Sequence, residues 1–240
     1  MTLVRIIGPG RAGLSMAAAL AGAGWQVDGP WGRDHDPAPA ASGCDLLLLA
    51  VPDHAVASLA GAVRPDPCSA VAHLSGSLGL APLAQHPRPA VLHPLVALAD
   101  PELGAARLRG ATFGVASGGD PLALEAVAAL EGRAIEVAEG AWAAYHAAAV
   151  IASNHLVGLL GQVERVAAGV GAPLDAYLDL ARQTIENVAA LSPAAALTGP
   201  VRRGDRATVE RHLAALDPSE RHTYQAMVDE LERLTRPPAP

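Results

Sequence analysis

Residues 3–20 read LVRIIGPGRAGLSMAAAL: a β-branched run, three glycines at Gly8, Gly10 and Gly13, then an alanine-rich run. No other stretch constrains the fold as much. A strand that ends in a tight glycine turn and enters a helix directly is the first half of a βαβ unit. Such a turn leaves the first amide N–H groups of the helix facing an anion. Each glycine then has its own task. Gly8 makes the turn, Gly10 lets the backbone approach a pyrophosphate, and Gly13 lets helix and strand pack closely. Pro9, Arg11 and Ala12 complete the turn. The pattern alone also fits an empty glycine-rich turn, so the rest of the chain has to decide.

The downstream pattern repeats the alternation. WQVDGPWGR offers a second strand, and CDLLLLAVP is an apolar run without alternation, as in a parallel strand buried on both faces. DHAVASLAGAV reads as a helix. SAVAHLSGS, AVLHPLVAL and ATFGVAS are further strands, DPLALEAVAALEG is a helix with Asp120 as cap and Pro121 at its first position, and AIEVAEG closes the half. Strands alternating with helices predict an α/β domain over residues 1–138, a Rossmann-type, mostly parallel, doubly wound sheet. From residue 139 to 240 the texture is helical. A long helix over 141–171, apolar nearly all round in its first two-thirds, is expected at the centre of a helical domain or at a subunit interface. Three more helices follow, the last with Asp217 as cap, Pro218 at its first position and Glu220 reaching back. The closing RPPAP is expected to be disordered.

Composition narrows the function classes. The 240 residues, 51% hydrophobic, suffice for one large domain or two modest ones. A net charge of −7 argues against nucleic acid or an anionic membrane as partner. Cys44 and Cys68 form neither a disulfide framework nor a metal-ligand spacing, so no metal is expected. The N-terminus lacks the build of a signal peptide, and no run of 18 unbroken apolar residues suggests a membrane span; a cytoplasmic protein is expected. All 17 basic residues are arginine.

Placed inside a βαβ unit, the glycines favour a dinucleotide. The end of the second strand separates NAD from NADP. An acid there holds the ribose 2′-hydroxyl, whereas a 2′-phosphate wants arginine. PWGRD places Arg33 at that point and Asp28 too early, which favours NADP, with Arg11 as a second phosphate contact. Asp34 follows directly and leaves NAD open. Val51 and Pro52, at the end of the third strand, and Ser75 complete the cofactor set.

GPGRAG, CDLLLLAVPD, HLSGSLG, LHPL, YHAAAVIASN and LTGPVRRGD together resemble a bacterial family of Rossmann-like proteins whose C-terminal helical domain has unknown function. The resemblance covers nearly the whole chain. That family is similar to the broader group containing 6-phosphogluconate dehydrogenase, ketopantoate reductase, pyrroline-5-carboxylate reductase and the deazaflavin-dependent NADP oxidoreductases. The resemblance implies an N-terminal NAD(P) domain, a helical domain that mediates homodimerisation, and an active site between them. It leaves the substrate open; fold analogy suggests a 2-keto acid such as ketopantoate.

Hydride transfer to a carbonyl leaves an alkoxide, which needs a proton donor. Several relatives use a lysine on the first helix of the second domain, and this chain has none. On the equivalent helix His146, Ser153 and Asn154 fall within roughly a third of the circumference at 100° per residue, and His155 points the other way. A histidine is a suitable proton donor near neutral pH, and Asn154 can orient a carbonyl. The bland alternative is a set of satisfied polar residues on a buried helix. Ser75 and Ser77 follow a strand and can border the nicotinamide, and His93 can face the substrate; His73, inside its strand, reads as structural. LTGPVRRGD reads as a loop whose Arg202 and Arg203 suit a carboxylate or phosphate on a small substrate, or are solvated beside the helix cap Asp205. The expectation is an NADP-preferring oxidoreductase acting on C=O or C=N in a small anionic metabolite. The alternative is a nucleotide-binding regulatory or assembly protein without catalysis.

Overall fold

A computed structural model describes residues 1–236; the disorder expected for RPPAP concerns residues that, from 237 on, lie outside the described ones. The chain divides into two compact units, Met1–Ser153 and Asn154–Pro240.

The first unit is built on seven strands: β1 (Leu3–Ile7), β2 (Gln26–Trp31), β3 (Leu46–Leu49), β4 (Ala70–His73), β5 (Pro89–Pro94), β6 (Thr112–Ala116) and β7 (Arg133–Val137). They lie in the order β2-β1-β3-β4-β5-β6-β7, every pairing parallel except β5 with β6. This is the Rossmann-type sheet expected. Its helices are α1 (Arg11–Gly22), α2 (Asp53–Ala62), α3 (Pro101–Leu108), α4 (Leu122–Ala129) and α5 (Trp142–Val150). Strand residues alternate between the faces. Leu46 and Leu48 join Met16 and Leu20 of α1, Leu108 of α3 and Val127 of α4, whereas Leu47 and Leu49 join Val56 and Ala60 of α2. All four leucines of β3 are therefore buried, as an apolar run without alternation predicts. Cys44 is buried in the second layer, and Cys68 is exposed in a turn.

Four local expectations need correction. Helix α3 was not anticipated, and AVLHPLVAL stops being a strand at Pro94. Asp120 does cap α4, accepting from the Leu122 N–H at 2.9 Å, but Pro121 is the flanking residue rather than the first helical one. The long helix is broken: a π-helical turn, Ile151–His155, separates α5 from α6 (Leu156–Ala168). Its i→i+5 bonding changes the advance per residue, so the 100° wheel does not hold across it. By length and composition alone Glu139–Ala168 could cross a membrane. Its N-terminal end, however, packs in the sheet unit, where Trp142 is 2% exposed.

The second unit continues with α7 (Leu174–Leu191), α8 (Pro193–Ala196), α9 (Gly199–Arg203), α10 (Arg206–Ala215) and α11 (Pro218–Thr235). The predicted LTGPVRRGD loop is thus the short helix α9, closed by left-handed Gly204. Glu220 does not reach back to its own cap. Arg165 on α6 takes its carboxylate at 2.5 and 3.1 Å, tying α6 to α11. Among the described residues of this unit only Ala167, Glu220 and Val228 are buried. Helix α6 therefore does not occupy the centre of a helical core within this chain.

Candidate active site

The glycine turn lies where the strand order reverses, between β1 and β3, the usual ligand crevice of an open α/β sheet. Gly8 has φ +116°, and a Cβ there would collide with the Ala50 carbonyl at the end of β3. A Cβ on Gly13 would strike the Gly8 carbonyl, which is the close helix–strand packing expected of it. Gly10 differs: nothing lies within 4 Å of where its Cβ would be. It flanks α1 in extended conformation without a side-chain cap, and the first turn of α1 carries no acid. Open space beside uncapped amide groups fits a pyrophosphate. Pro9 and Arg11 are exposed around this turn, and Ala12, Val51 and Pro52 line its approaches without being buried.

At the end of β2, Arg33 is exposed. Asp28 is not available to a ribose: Arg5 Nε and Trp31 Nε1 donate to its two oxygens at 2.7 and 2.9 Å. Burial would raise its pKa, but those two bonds outweigh burial and hold it below the usual carboxylate value. Asp34 is exposed beside His35, whose ring stacks on Trp31 at 5.0 Å. Arg11 donates to the Ala99 carbonyl at 3.4 Å.

A polar cluster gathers at the carboxyl ends of β4 and β5. His93 Nδ1 and the Tyr145 hydroxyl are 2.9 Å apart, and the His93 and His146 rings meet edge-on at 5.7 Å. Trp142 packs edge-on against Tyr145 at 5.5 Å. A Cβ on Gly76 would lie 2.5 Å from His146 Nδ1 and 2.6 Å from His93 Nε2, so the missing side chain is the seat of both imidazoles. Gly114 on β6 makes room for the Tyr145 hydroxyl in the same way. His146 Nδ1 is buried without a hydrogen-bond partner. A polar atom left so costs about 1–3 kcal/mol, which marks it as a point for a ligand to satisfy.

The loop after β4 is held from several sides. Buried His73 accepts from the Ser75 N–H through Nδ1 at 3.2 Å, so its Nε2–H donates to the Gly79 carbonyl at 2.9 Å. With both nitrogens engaged it is structural, as expected. Glu139 accepts from the Leu80 N–H at 3.0 Å. Ser77 Oγ donates to Asp53 at 2.5 Å and lies 3.3 Å from Ser75 Oγ. Burial pushes the His93 pKa down to about 4, with the neighbouring His146 charge adding to it, and His93 is neutral at neutral pH. Burial raises the Tyr145 hydroxyl, which is also neutral.

The structure thus brings His93, Ser75, Ser77 and His146 together and adds Gly76, Tyr145, Asp53, Glu139 and Gly114. Of the added residues, Gly76 lies between Ser75 and Ser77 in the sequence and Tyr145 lies next to His146; the other three have no such neighbour. Ser153 lies in the π-helical turn and donates back to the Ala149 carbonyl at 2.7 Å; Asn154 begins the second unit. Arg202 and Arg203 are exposed in the last turn of α9, and Asp205 caps α10 by accepting from the Thr208 N–H at 3.0 Å.

Fold and cradle define a Rossmann-type α/β protein with a helical C-terminal region. A family profile described as "Domain of unknown function (DUF2520)" matches residues 114–231. Sequence comparison with curated proteins gives no match. Among solved structures the chain is similar to a candidate NADP oxidoreductase of Bacteroides fragilis, with TM-score 0.78, 19% identity, and 97% of this chain and 98% of that one covered. It is also similar to protein TM1727 of Thermotoga maritima, with TM-score 0.72, 21% identity and 97% and 98% coverage. A third similar structure is the reductive aminase of Aspergillus terreus in complex with NADPH and ethyl-5-oxohexanoate, with TM-score 0.70, 16% identity and 97% and 94% coverage.

Proposed function

We propose that this protein is an NADP-preferring oxidoreductase that reduces a C=O or C=N bond in a small metabolite. The observation that carries the reading is the turn at the switch point, with Gly8 and Gly13 closed against backbone and Gly10 open. Arg33 and Arg11 supply cations for phosphate, while Asp28, the nearest acid on β2, is consumed by Arg5 and Trp31. NADPH, when bound, would supply the hydride. Further support comes from the solved structures of similar fold, which include a pyrroline carboxylate reductase of Plasmodium falciparum with NADP bound and an imine reductase of Streptomyces aurantiacus.

In this reading His146 delivers the proton, with Ser153, Asn154 and His93 completing the catalytic set. Ser75 borders the nicotinamide, Ser77 meets the substrate, and Arg202 and Arg203 hold an anionic group on it. The helical domain, from residue 139 on, binds substrate and pairs two copies in the cytoplasm. Ketopantoate and other 2-keto acids are the first carbonyl candidates, and the kinship with 6-phosphogluconate dehydrogenase and ketopantoate reductase belongs to this proposal.

The test is NADPH consumption against a panel of keto and imino acids. His146→Ala should lose roughly 10²–10⁴-fold in turnover, the contribution of a positioned general acid, with NADPH affinity unchanged. Normal turnover in that variant removes His146 from the role. Absence of carbonyl- or imine-dependent oxidation across the panel, with NADPH bound, favours the non-catalytic alternative.

A further inference from the structure

We propose that the bond reduced at this site is C=N, held as its iminium cation with Asp53 as the counter-charge; this rests on the oxidoreductase reading above. What favours C=N is the sign of the charge around the cluster. The chain has no lysine, and three arginines of the sheet unit pair with acids elsewhere: Arg5 with Asp28, Arg88 with Asp120, Arg109 with Glu131. Among the described residues no arginine hydrogen-bonds to Ser75, Ser77, His93, Tyr145 or His146. Two carboxylates do reach the loop that carries the serines, Asp53 through Ser77 and Glu139 through the Leu80 amide.

Asp53 is an anion at neutral pH. Burial would raise its pKa, but the hydrogen bonds from Ser77 and Ser75 outweigh burial and hold it below the ordinary value. Burial keeps His93, Tyr145 and His73 neutral, which leaves His146, the proton donor of the reading above, as the one cation these groups can offer, and it gives up its charge with the proton. Asp53 is itself exposed, so its field acts in full only when a bound substrate displaces water from the rim.

The two candidate reactions place opposite charges beside that carboxylate. Reduction of a carbonyl builds an alkoxide, a like charge that Asp53 opposes until His146 quenches it with a proton. Reduction of an imine begins with a proton on nitrogen, taken from His146 or water, and the resulting cation is stabilised by Asp53. The hydride then forms the new C–H bond, the C=N π pair withdraws to nitrogen, and a neutral amine and oxidised cofactor result. No oxyanion is needed. The amine takes a proton from water and is again a cation beside Asp53.

Product binding therefore reads the charge preference without turnover. Calorimetry on the NADP⁺-loaded protein compares 2-methylpyrrolidine, a cation at neutral pH, with its neutral isostere 2-methyltetrahydrofuran. The amine should bind about tenfold or more tighter, the worth of one charge-assisted contact, and Asp53→Asn should abolish the difference. In parallel, 2-methyl-1-pyrroline should exceed cyclopentanone in kcat/KM by roughly 100-fold, the scale of one preorganised electrostatic contact, and the variant should narrow that gap. If Asp53→Asn fails to fold, Asp53→Ser serves the same comparison. Equal binding of amine and ether, an amine preference that survives loss of Asp53, or faster reduction of the ketone overturns the inference. A protein that binds NADPH and prefers the ketone leaves the oxidoreductase reading standing. One that binds no NADPH overturns that reading, and the amine-to-ether comparison on the cofactor-free protein still decides the role of Asp53.

Discussion

Gly76 has no side chain, and that lets His93 and His146 converge on one point at the carboxyl edge of the sheet. The convergence carries a titration consequence. His93, His73 and His86 all have pKa values lowered by burial, His93 to about 4. In the unfolded chain they titrate near ~6.5. Below that value the unfolded state takes up protons that the folded state refuses. Stability is therefore whole above about pH 6.5 and drains as pH falls toward 4. Asp53, held below its ordinary 3.8, adds its own loss only at still lower pH, so the two windows separate. Thermal melts between about pH 7 and 5 should show a falling Tm, and His93→Gln should flatten the fall. A wild-type Tm constant across that range contradicts the burial assigned to these rings. Little of this was readable from the chain. Ser77 meets Asp53 across 24 residues, His93 meets Tyr145 across 52 and Leu80 meets Glu139 across 59, and no local pattern encodes such pairings.

At the level of elements, the glycine turn separates tasks that its spacing alone leaves mixed. Gly13 is closed by the Gly8 carbonyl, whereas Gly10 faces open space. Gly13→Ala should force strand and helix apart and cost about 1–3 kcal/mol, as overpacking does. Gly10→Ala should cost under about 1 kcal/mol, a small loss at a helix cap, yet weaken NADPH binding about tenfold or more by blocking the approach. Denaturant melts and a binding titration on the two variants check this, and equal stability loss in both contradicts the assignment. Strands and principal helices were legible because burial imposes periodicity: β3 lies between two apolar layers, and α11 begins with Asp217 and Pro218. Helix α3 carries the same signal, Asp100 accepting from the Glu102 and Leu103 amides with Pro101 first, but it follows an apolar run that reads as a longer strand. The π-helical turn leaves no such mark, since Ile151–His155 is compatible in sequence with an uninterrupted helix.

For the whole molecule, the second unit sets the problem. Three buried residues cannot offset the entropy of ordering that many helical positions. Val157 on α6 is 71% exposed and Leu180 on α7 is 59% exposed, with Ile185 and Leu191 also bare. A second copy of the chain is the cover we propose. Light scattering at micromolar concentration should give about twice the 24.3 kDa of one chain, and Leu180→Glu should shift the mass toward the monomer. A wild-type monomer under those conditions contradicts the pairing. Beneath dimer, proton donor and iminium alike lies one claim: the turn at Gly8–Gly13 holds NADP. A titration of the protein with NADPH and with NADH, followed by nicotinamide fluorescence, tests it most directly. NADPH should bind about tenfold or more tighter than NADH, and Arg33→Ala should remove most of that advantage while leaving NADH affinity unchanged. Equal affinities for the two cofactors, or an Arg33→Ala protein that holds NADPH as tightly as the wild type, would contradict it.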